Sequence, residues 1–416
     1  MSTSGCPRGS VSTKGFKGMG HTSLLEAPTA RRVGERFQRP GAVVFVVNND
    51  RSFLSHRASW ASALAAAGSA VTVIAENTGE AHHIKSAGFD FIALNVGRDS
   101  SSKRQLVASA ARIFFHLVRL RPSVVVLSAS VAYTIGWPAA ILLRKSRFVR
   151  VMGGVGAAFT EGRRQTLATR VVAISAKMAA KLPNESAIFQ TEHDRQKFVS
   201  SGMARPETSH LVPGAGIDIG LWGPVSPSAL GSNRPLVLFA SRLYREKGVA
   251  EFVEASAFLD DLDCNFVVAG DIDAGVMNSI SSEQLMAWKT AFPRVEFVGR
   301  VDDMLQILSR AAVLVFPSRH PEGTPRILLE AGACGVPSIV SNLPGCRAVI
   351  SDGVNGVILA DTEPSTIARS IRDLMNAPAR RRQMAIRARD RIERNFSLEI
   401  VLERVLPIFG AEKADG

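Results

Sequence analysis

Cysteine is scarce in this chain. There are four among 416 residues (Cys6, Cys264, Cys334 and Cys346), in no CxxC or CxxC…H arrangement. That spacing excludes a zinc finger and a disulfide scaffold, and it fits a reducing compartment. The eight histidines form no HExxH or HxxxH cluster, which removes the helical zinc-hydrolase pattern. Gly153-Gly154-Val155-Gly156 is not a GxGxxG, so dinucleotide binding has little support. Residues 1–40 contain no apolar run of 7–15 residues, so no secretory signal is expected there. That segment is rich in Ser, Thr, Gly and Arg and is expected to be a disordered basic tail. One stretch without charge, Val124 to Leu143, has the length to span a bilayer. It is interrupted by Ser128, Ser130, Thr134, Gly136 and Pro138. It therefore reads as a buried strand followed by a helix.

What is present is an ordinary globular composition, 46% hydrophobic and 21% charged, with enough chain for two domains. The net charge of +13 is uneven. Residues 1–40 carry net +5, residues 41–210 net +11, and residues 211–416 net −3. A basic front half suggests a face that meets nucleic acid or an anionic membrane.

After residue 40, short apolar runs alternate with helical stretches. Expected strands are Ala42–Val47, Ala70–Ile74, Phe89–Leu94, Val124–Leu127, Phe148–Met152 and Val171–Ile174. Helices are expected at Leu54–Ala67, Gln105–Leu120 and Ala132–Arg144. A turn-rich break follows, from Pro213-Gly214-Ala215-Gly216 to Pro235. Strands then resume at Leu236–Ala240, Phe266–Ala269, Val295–Val298, Val313–Phe316 and Ser338–Val340. Continuous apolar strands between helices predict parallel sheets buried on both faces. The expected fold is α/β, with two doubly wound Rossmann-like domains facing a cleft. The expected division is a tail over 1–40, domains over 41–210 and 211–395, and a C-terminal helix in 396–416 that returns to the first domain. Ligands of such sheets bind beyond the carboxyl ends of the strands.

Two loops at those ends carry chemistry. Ser241-Arg242-Leu243-Tyr244-Arg245-Glu246-Lys247-Gly248 follows a strand and brings Arg242 and Lys247 where a diphosphate needs positive charge. Alone, it fits a solvated basic loop somewhat better. Glu322-Gly323-Thr324-Pro325-Arg326 opens a helix, with Thr324 as the expected N-cap and Pro325 as the first helical residue. A helix start offers free N–H groups and a positive dipole end to an anion. Glu322 precedes that start, and Glu330 lies about 8–9 Å further along the helix axis. Each carboxylate can accept from vicinal hydroxyls, although two exposed glutamates flanking a helix fit the same spacing. Asp271-Ile272-Asp273 is a DxD and reads as a nucleotide-side loop rather than a metal site. The arginines Arg380, Arg381, Arg382, Arg387, Arg389, Arg391 and Arg394 read as a solvated helix face.

Taken together, these segments resemble a known family. SRLYREKGVAEFVEA, VEFVGRVDDM, FPSRHPEGTPRILLEAGACGVPSIVS and LPGCRAVISDGVNGVIL are similar to the retaining GT-B glycosyltransferases of group 1, family four. VFVVNNDRSFLSHRASWASALAAAG, GGVGAAFTEG and AIFQTEHDRQKF look like the front half of its capsular polysaccharide and O-antigen branch. The resemblance implies that Arg242 and Lys247 hold the donor diphosphate and that Glu322 touches the donor sugar. It implies backbone contacts from Gly323, Thr324, Pro325 and Arg326, and ribose binding by Glu330. Asn48 and Asn49 would face the diphosphate or acceptor, and Gly154 and Gly156 would let the backbone approach the donor. One departure is clear: the position where many relatives carry a histidine is Gly153, and no histidine lies between His116 and His193.

The implied activity is retaining transfer of a hexosyl or N-acetylhexosaminyl group. The donor would be a UDP-sugar and the acceptor a membrane glycolipid in surface polysaccharide synthesis. No metal or other cofactor and no nucleic-acid partner is expected. The rival readings are a sugar-nucleotide 2-epimerase and a non-catalytic nucleotide-sugar-binding protein. Lys103, Arg104, Arg112 and Arg119 on the helix expected within Lys103–Leu120, with Arg121, Arg144, Lys145, Arg147 and Arg150 nearby, suggest an anionic membrane surface as partner. The expected location is the cytoplasmic face of the cell membrane, peripheral and without a span.

Overall fold

The computed structural model describes residues 25, 27–94, 103–128, 130–153, 167–224, 234–273 and 278–414. Strands β1 (Val43–Asn49), β2 (Val71–Glu76), β3 (Asp90–Ala93), β4 (Val124–Ser128), β5 (Arg147–Met152), β6 (Glu185–Phe189) and β7 (Ser209–Leu211) form one sheet, in the order β3-β2-β1-β4-β5-β6-β7. Strands β8 (Leu236–Ala240), β9 (Asn265–Ala269), β10 (Val295–Gly299), β11 (Ala311–Phe316), β12 (Ser338–Val340) and β13 (Gly356–Ile358) form a second, in the order β10-β9-β8-β11-β12-β13. Every pairing in both sheets is parallel. The chain reverses direction between β1 and β4 in one sheet and between β8 and β11 in the other. Those switch points are where doubly wound sheets open a ligand crevice.

Side chains alternate between the faces of each sheet, as the two-residue strand period requires. In the first sheet Val43, Phe45 and Val47 point to a core shared with Trp60 and Leu64. Val44 and Val46 point to the other core, with Ile113, Leu117 and Tyr133. The Leu398–Ile408 helix comes back to the first sheet, where Val401, Leu402 and Val405 join the core of Phe45 and Trp60. Phe409 lies 6.4 Å from Phe45 and 6.0 Å from Trp60, measured between ring centroids.

Several expectations need correction. The tail does not extend to residue 40. Pro28–Gly34 is a helix that buries Ala30 and Val33 in the first core. Arg32 of that helix and Arg36 just after it pair with Glu399. Val171–Ile174 is not a strand; it lies inside the Leu167–Ala180 helix, an alanine-rich stretch whose β-branched residues did not override helical continuity. The fifth crossover instead leads to β6, which opens with a charged residue. Glu185 there is buried against Arg150 of β5 at 2.5 Å. Arg150 is thus an interior ion-pair partner and no part of a basic surface. The Arg-rich segment is the Pro378–Asn395 helix, and it is not simply solvated. Arg389 donates to the carbonyls of Trp222, Ala333 and Ile219, tying the interdomain linker to the second domain.

Candidate functional site

Beyond β8 the chain makes a short 3-10 turn, Arg245–Lys247, ended by Gly248 at φ 82. A side chain at Gly248 would strike the Pro317 carbonyl, so only glycine lets this loop lie against the end of β11. The turn buries Lys247 to 8% exposure, over the Phe316 ring at 5.8 Å. Its ammonium forms an ion pair with Glu322, from the loop after β11. Arg242 is open to solvent, stacked on Tyr244 at 4.8 Å and 3.5 Å from Asp273. The Tyr244 hydroxyl donates to Asp273 at 2.6 Å, and burial, reinforced by that bond, pushes the phenol up to about 12. Asp271 accepts from the backbone N–H of Ile272. Among the described residues no group of three or more His, Cys, Asp or Glu could hold a metal ion.

The helix after Glu322 is Arg326–Ala333, with Pro325 as N-cap and no side-chain cap. Thr324, the expected cap, instead buries a hydroxyl that finds no partner among the described residues. Arg326 bridges Glu330 on its own helix at 2.7 Å and donates to the Ser55 carbonyl of the first domain. Burial raises the Glu330 pKa, and Arg326 opposes that rise. Two backbone donors expected to be free for the donor are already engaged. Gly323 N–H donates to Gly153 O at 3.1 Å and Thr324 N–H to Gln190 Oε1 at 2.7 Å. The two domains therefore touch across the cleft.

The facing wall comes from the first sheet. Asn48 lines the cavity, as expected, but Asn49 does not. Its side-chain oxygen caps the Asp50–His56 helix by accepting from Ser52 N at 2.8 Å. Gly154 and Gly156 lie outside the described residues. The cavity between the walls holds about 220 Å³ and is lined by Asn48, His56, Arg57, Ser128, Gln190, Glu322 and Arg326, among others. That is small beside the roughly 300–1,000 Å³ of typical ligand pockets.

Sequence reasoning missed His56, Arg57, Ser128 and Gln190. His56 and Arg57 sit inside the SHR triplet of the first quoted segment, the one signal that was available. His56 exposes its ring to the cleft while atoms of both domains crowd around it. Burial, then Arg57 and Arg326, push its pKa down to about 3, so it is neutral at neutral pH. Its Nδ1 lies 2.6 Å from the Ser55 hydroxyl. The cleft thus holds a histidine even though Gly153 is not one.

This architecture is the GT-B class: two parallel Rossmann-like sheets with the site between their carboxyl ends. It aligns with solved structures of that class. These include a glycosyltransferase from Rickettsia africae (TM-score 0.71, 16% identity, 89% of this chain and 98% of that one). Another is Anabaena Alr3699/HepE in complex with UDP-glucose (TM-score 0.72, 17% identity, 89% and 99%). Residues 226–391 match the glycosyl transferases group 1 family, and residues 42–191 match the glycosyl transferase 4-like family. Together these two glycosyltransferase models cover most of the chain, and with the fold they support a place among the GT-B group 1 glycosyltransferases. Among curated relatives it is 30% identical over 223 residues to an alpha-maltose-1-phosphate synthase of Mycolicibacterium smegmatis, covering 49% of this chain and 57% of that protein. It is 27% identical over 169 residues to the capsular polysaccharide biosynthesis glycosyltransferase CapM of Staphylococcus aureus, covering 40% and 43%. The matches span about half the length of these relatives.

Proposed function

We propose that this chain transfers a sugar, with retention, from a UDP-sugar to a membrane glycolipid acceptor in surface polysaccharide synthesis. The transferred group is a hexosyl or N-acetylhexosaminyl unit. The observation that carries the reading is the contact between Lys247 and Glu322 at the β8/β11 switch point, beside an anion-receptive helix start. Lys247 and Arg242 would take the donor diphosphate, Glu322 the sugar hydroxyls and Glu330 the ribose. With the donor bound, Lys247 exchanges a carboxylate for a phosphate, and Glu322 is released to the sugar. Retaining transfer on this scaffold needs no protein nucleophile. The leaving diphosphate accepts the acceptor's proton on the same face, while the protein positions and stabilises charge. Arg, Lys and a helix end supply that charge without a divalent ion.

The membrane part of the proposal rests on one face of the first domain. Val107, Phe115, Ile141, Leu142, Ile174 and Met178 are exposed there, on helices that cover the sheet opposite the Leu398–Ile408 helix. Arg112, Arg119, Arg144 and Lys145 belong to the same layer. A groove of about 590 Å³ is lined by Arg121, Arg144 and Lys145 together with Leu142 and Val118. No helix among the described residues is long and apolar enough to cross a membrane. Docking on the cytoplasmic leaflet is the working arrangement.

Incubation with labelled UDP-sugars, with and without a lipid extract, tests the function. Label moving into the lipid fraction supports it. Epimer formed without acceptor points to an isomerase, and binding without turnover points to a non-catalytic protein.

A further inference from the structure

Arg57 is a buried cation that no carboxylate among the described residues compensates. It is 3% exposed and forms no ion pair among the described residues. Its described polar partners are neutral: Nε donates to the Ser128 hydroxyl at 3.1 Å and Nη1 to the His56 carbonyl at 2.8 Å. Its guanidinium stacks on Trp60, 4.5 Å from the ring centroid. Burial pulls its pKa down to about 10, so it stays charged at neutral pH. An uncompensated charge in a low-dielectric site is costly, and proteins keep one where a ligand of opposite sign completes it. Arg57 can meet such a ligand because it lines the cavity, beside Asn48 and Ser128 at the β1/β4 switch point. The donor's two diphosphate charges already have Lys247 and Arg242 on the opposite wall. The remaining place for an anion is on the acceptor side.

We infer that Arg57 is the acceptor-recognition residue and that the acceptor carries a phosphate or diphosphate close to the hydroxyl that is glycosylated. The planar guanidinium, held flat by Trp60 and fixed at Nε by Ser128, presents its remaining N–H groups in the fork that binds phosphate oxygens. The site also adjoins the interdomain linker. Trp60 is fully buried and donates its indole N–H to the carbonyl of Ala215, in that linker, at 3.0 Å. The phosphate could belong to a lipid diphosphate or to a soluble sugar phosphate, since the guanidinium reads only the anion. This inference rests on the proposed function.

The test is calorimetry on the full chain, with UDP at saturation and inorganic pyrophosphate as probe. A second binding event is expected with wild type. It should weaken at least tenfold in Arg57→Gln, with UDP affinity unchanged. Because Arg57→Gln removes a buried stacking partner, Ser128→Asp is the companion variant. It supplies Arg57 with an internal carboxylate and should abolish pyrophosphate binding without loss of fold. Absence of the second event, or its persistence in Ser128→Asp, overturns the inference while leaving UDP binding intact. Failure of UDP itself to bind overturns the proposed function and the inference with it. Transfer assays then separate the sources. A sugar 1-phosphate and a short-chain polyprenyl-diphosphate saccharide are compared with an uncharged alkyl glycoside. KM for one charged acceptor should rise at least tenfold in Ser128→Asp. Equal use of the uncharged glycoside by wild type would overturn the inference.

Discussion

Lys247 and Glu322 are 75 residues apart in the chain and in contact in the fold. The ammonium lies in a loop after β8, the carboxylate in a loop after β11, and only a parallel sheet with its switch between those strands sets them side by side. On the proposed reading the pair parts when a donor enters, the ammonium going to phosphate and the carboxylate to the sugar.

Replacing Lys247 by alanine should therefore strip the donor site of a largely desolvated cation and leave Glu322 unpaired. The expected loss is about 2–5 kcal/mol in transition-state stabilisation, read from kcat/KM. The melting temperature should fall as well, because Lys247 is buried and its loss leaves Glu322 without its cation, so kcat/KM is compared where the variant is still folded. Turnover near wild type would remove Lys247 from the diphosphate site.

The two glutamates should separate in binding. Glu330→Ala should weaken UDP itself, through the lost ribose contact and through Arg326, which loses its partner and stays tied to Ser55 O. Glu322→Ala should leave UDP affinity near wild type and lower transfer. Calorimetry with UDP showing the reverse order would invert the donor's orientation in the cleft.

A backbone-level prediction follows from Gly345. A Cβ there would run into the carbonyl oxygens of Gly323 and Glu322. Gly345→Ala should push the 322–323 loop toward the cleft and abolish transfer, while the fold, read by circular dichroism, persists. An active Gly345→Ala enzyme would show that this loop tolerates displacement.

His56 sets a pH dependence of stability. Its native pKa of about 3 lies below its ordinary value of 6.5. Between these values the unfolded chain binds a proton that the native state refuses, so stability rises with pH through that window and levels off above it. Burial lowers the pKa of His320 and His210 too, adding to the same trend. His56→Gln should flatten the slope of unfolding free energy between pH 4 and 6.5, as measured by urea titration. An unchanged slope would mean that His56 is as well solvated in the cleft as in the unfolded chain.

Membrane attachment and metal independence complete the set. Sedimentation with anionic liposomes should fall with rising salt, since basic residues near such a surface contribute roughly 1 kcal/mol each. It should fall further in Phe115→Asp/Leu142→Asp. Binding indifferent to both would make this face ordinary surface. Transfer should survive EDTA; complete loss restored by Mn²⁺ would return Asp271 and Asp273 to consideration as ligands.

Local chemistry made much of this protein readable from the chain alone. Five of the six strands of the second sheet were legible nearly to the residue, since β-branched apolar runs bounded by turns admit one reading, while the three-residue β13 was not foreseen. The two loops that carry Lys247 and Glu322 were legible as neighbours because loops after parallel strands converge on one edge. Other features depend on partners far away in sequence. Glu185 could open a strand only because Arg150 meets it in the interior. Val171 and Ile174, both exposed, follow the alanine-rich helix that surrounds them rather than their own β propensity. Residues 28–34 are ordered because the returning C-terminal helix gives Ala30 and Val33 a surface to bury against. Asn49 caps a helix while its neighbour Asn48 faces the cleft, a difference of one position that only the exit direction of β1 decides. His56, Arg57 and Gln190 belong to the site because two domains close on each other, and no local pattern in a sequence encodes the surface it will meet.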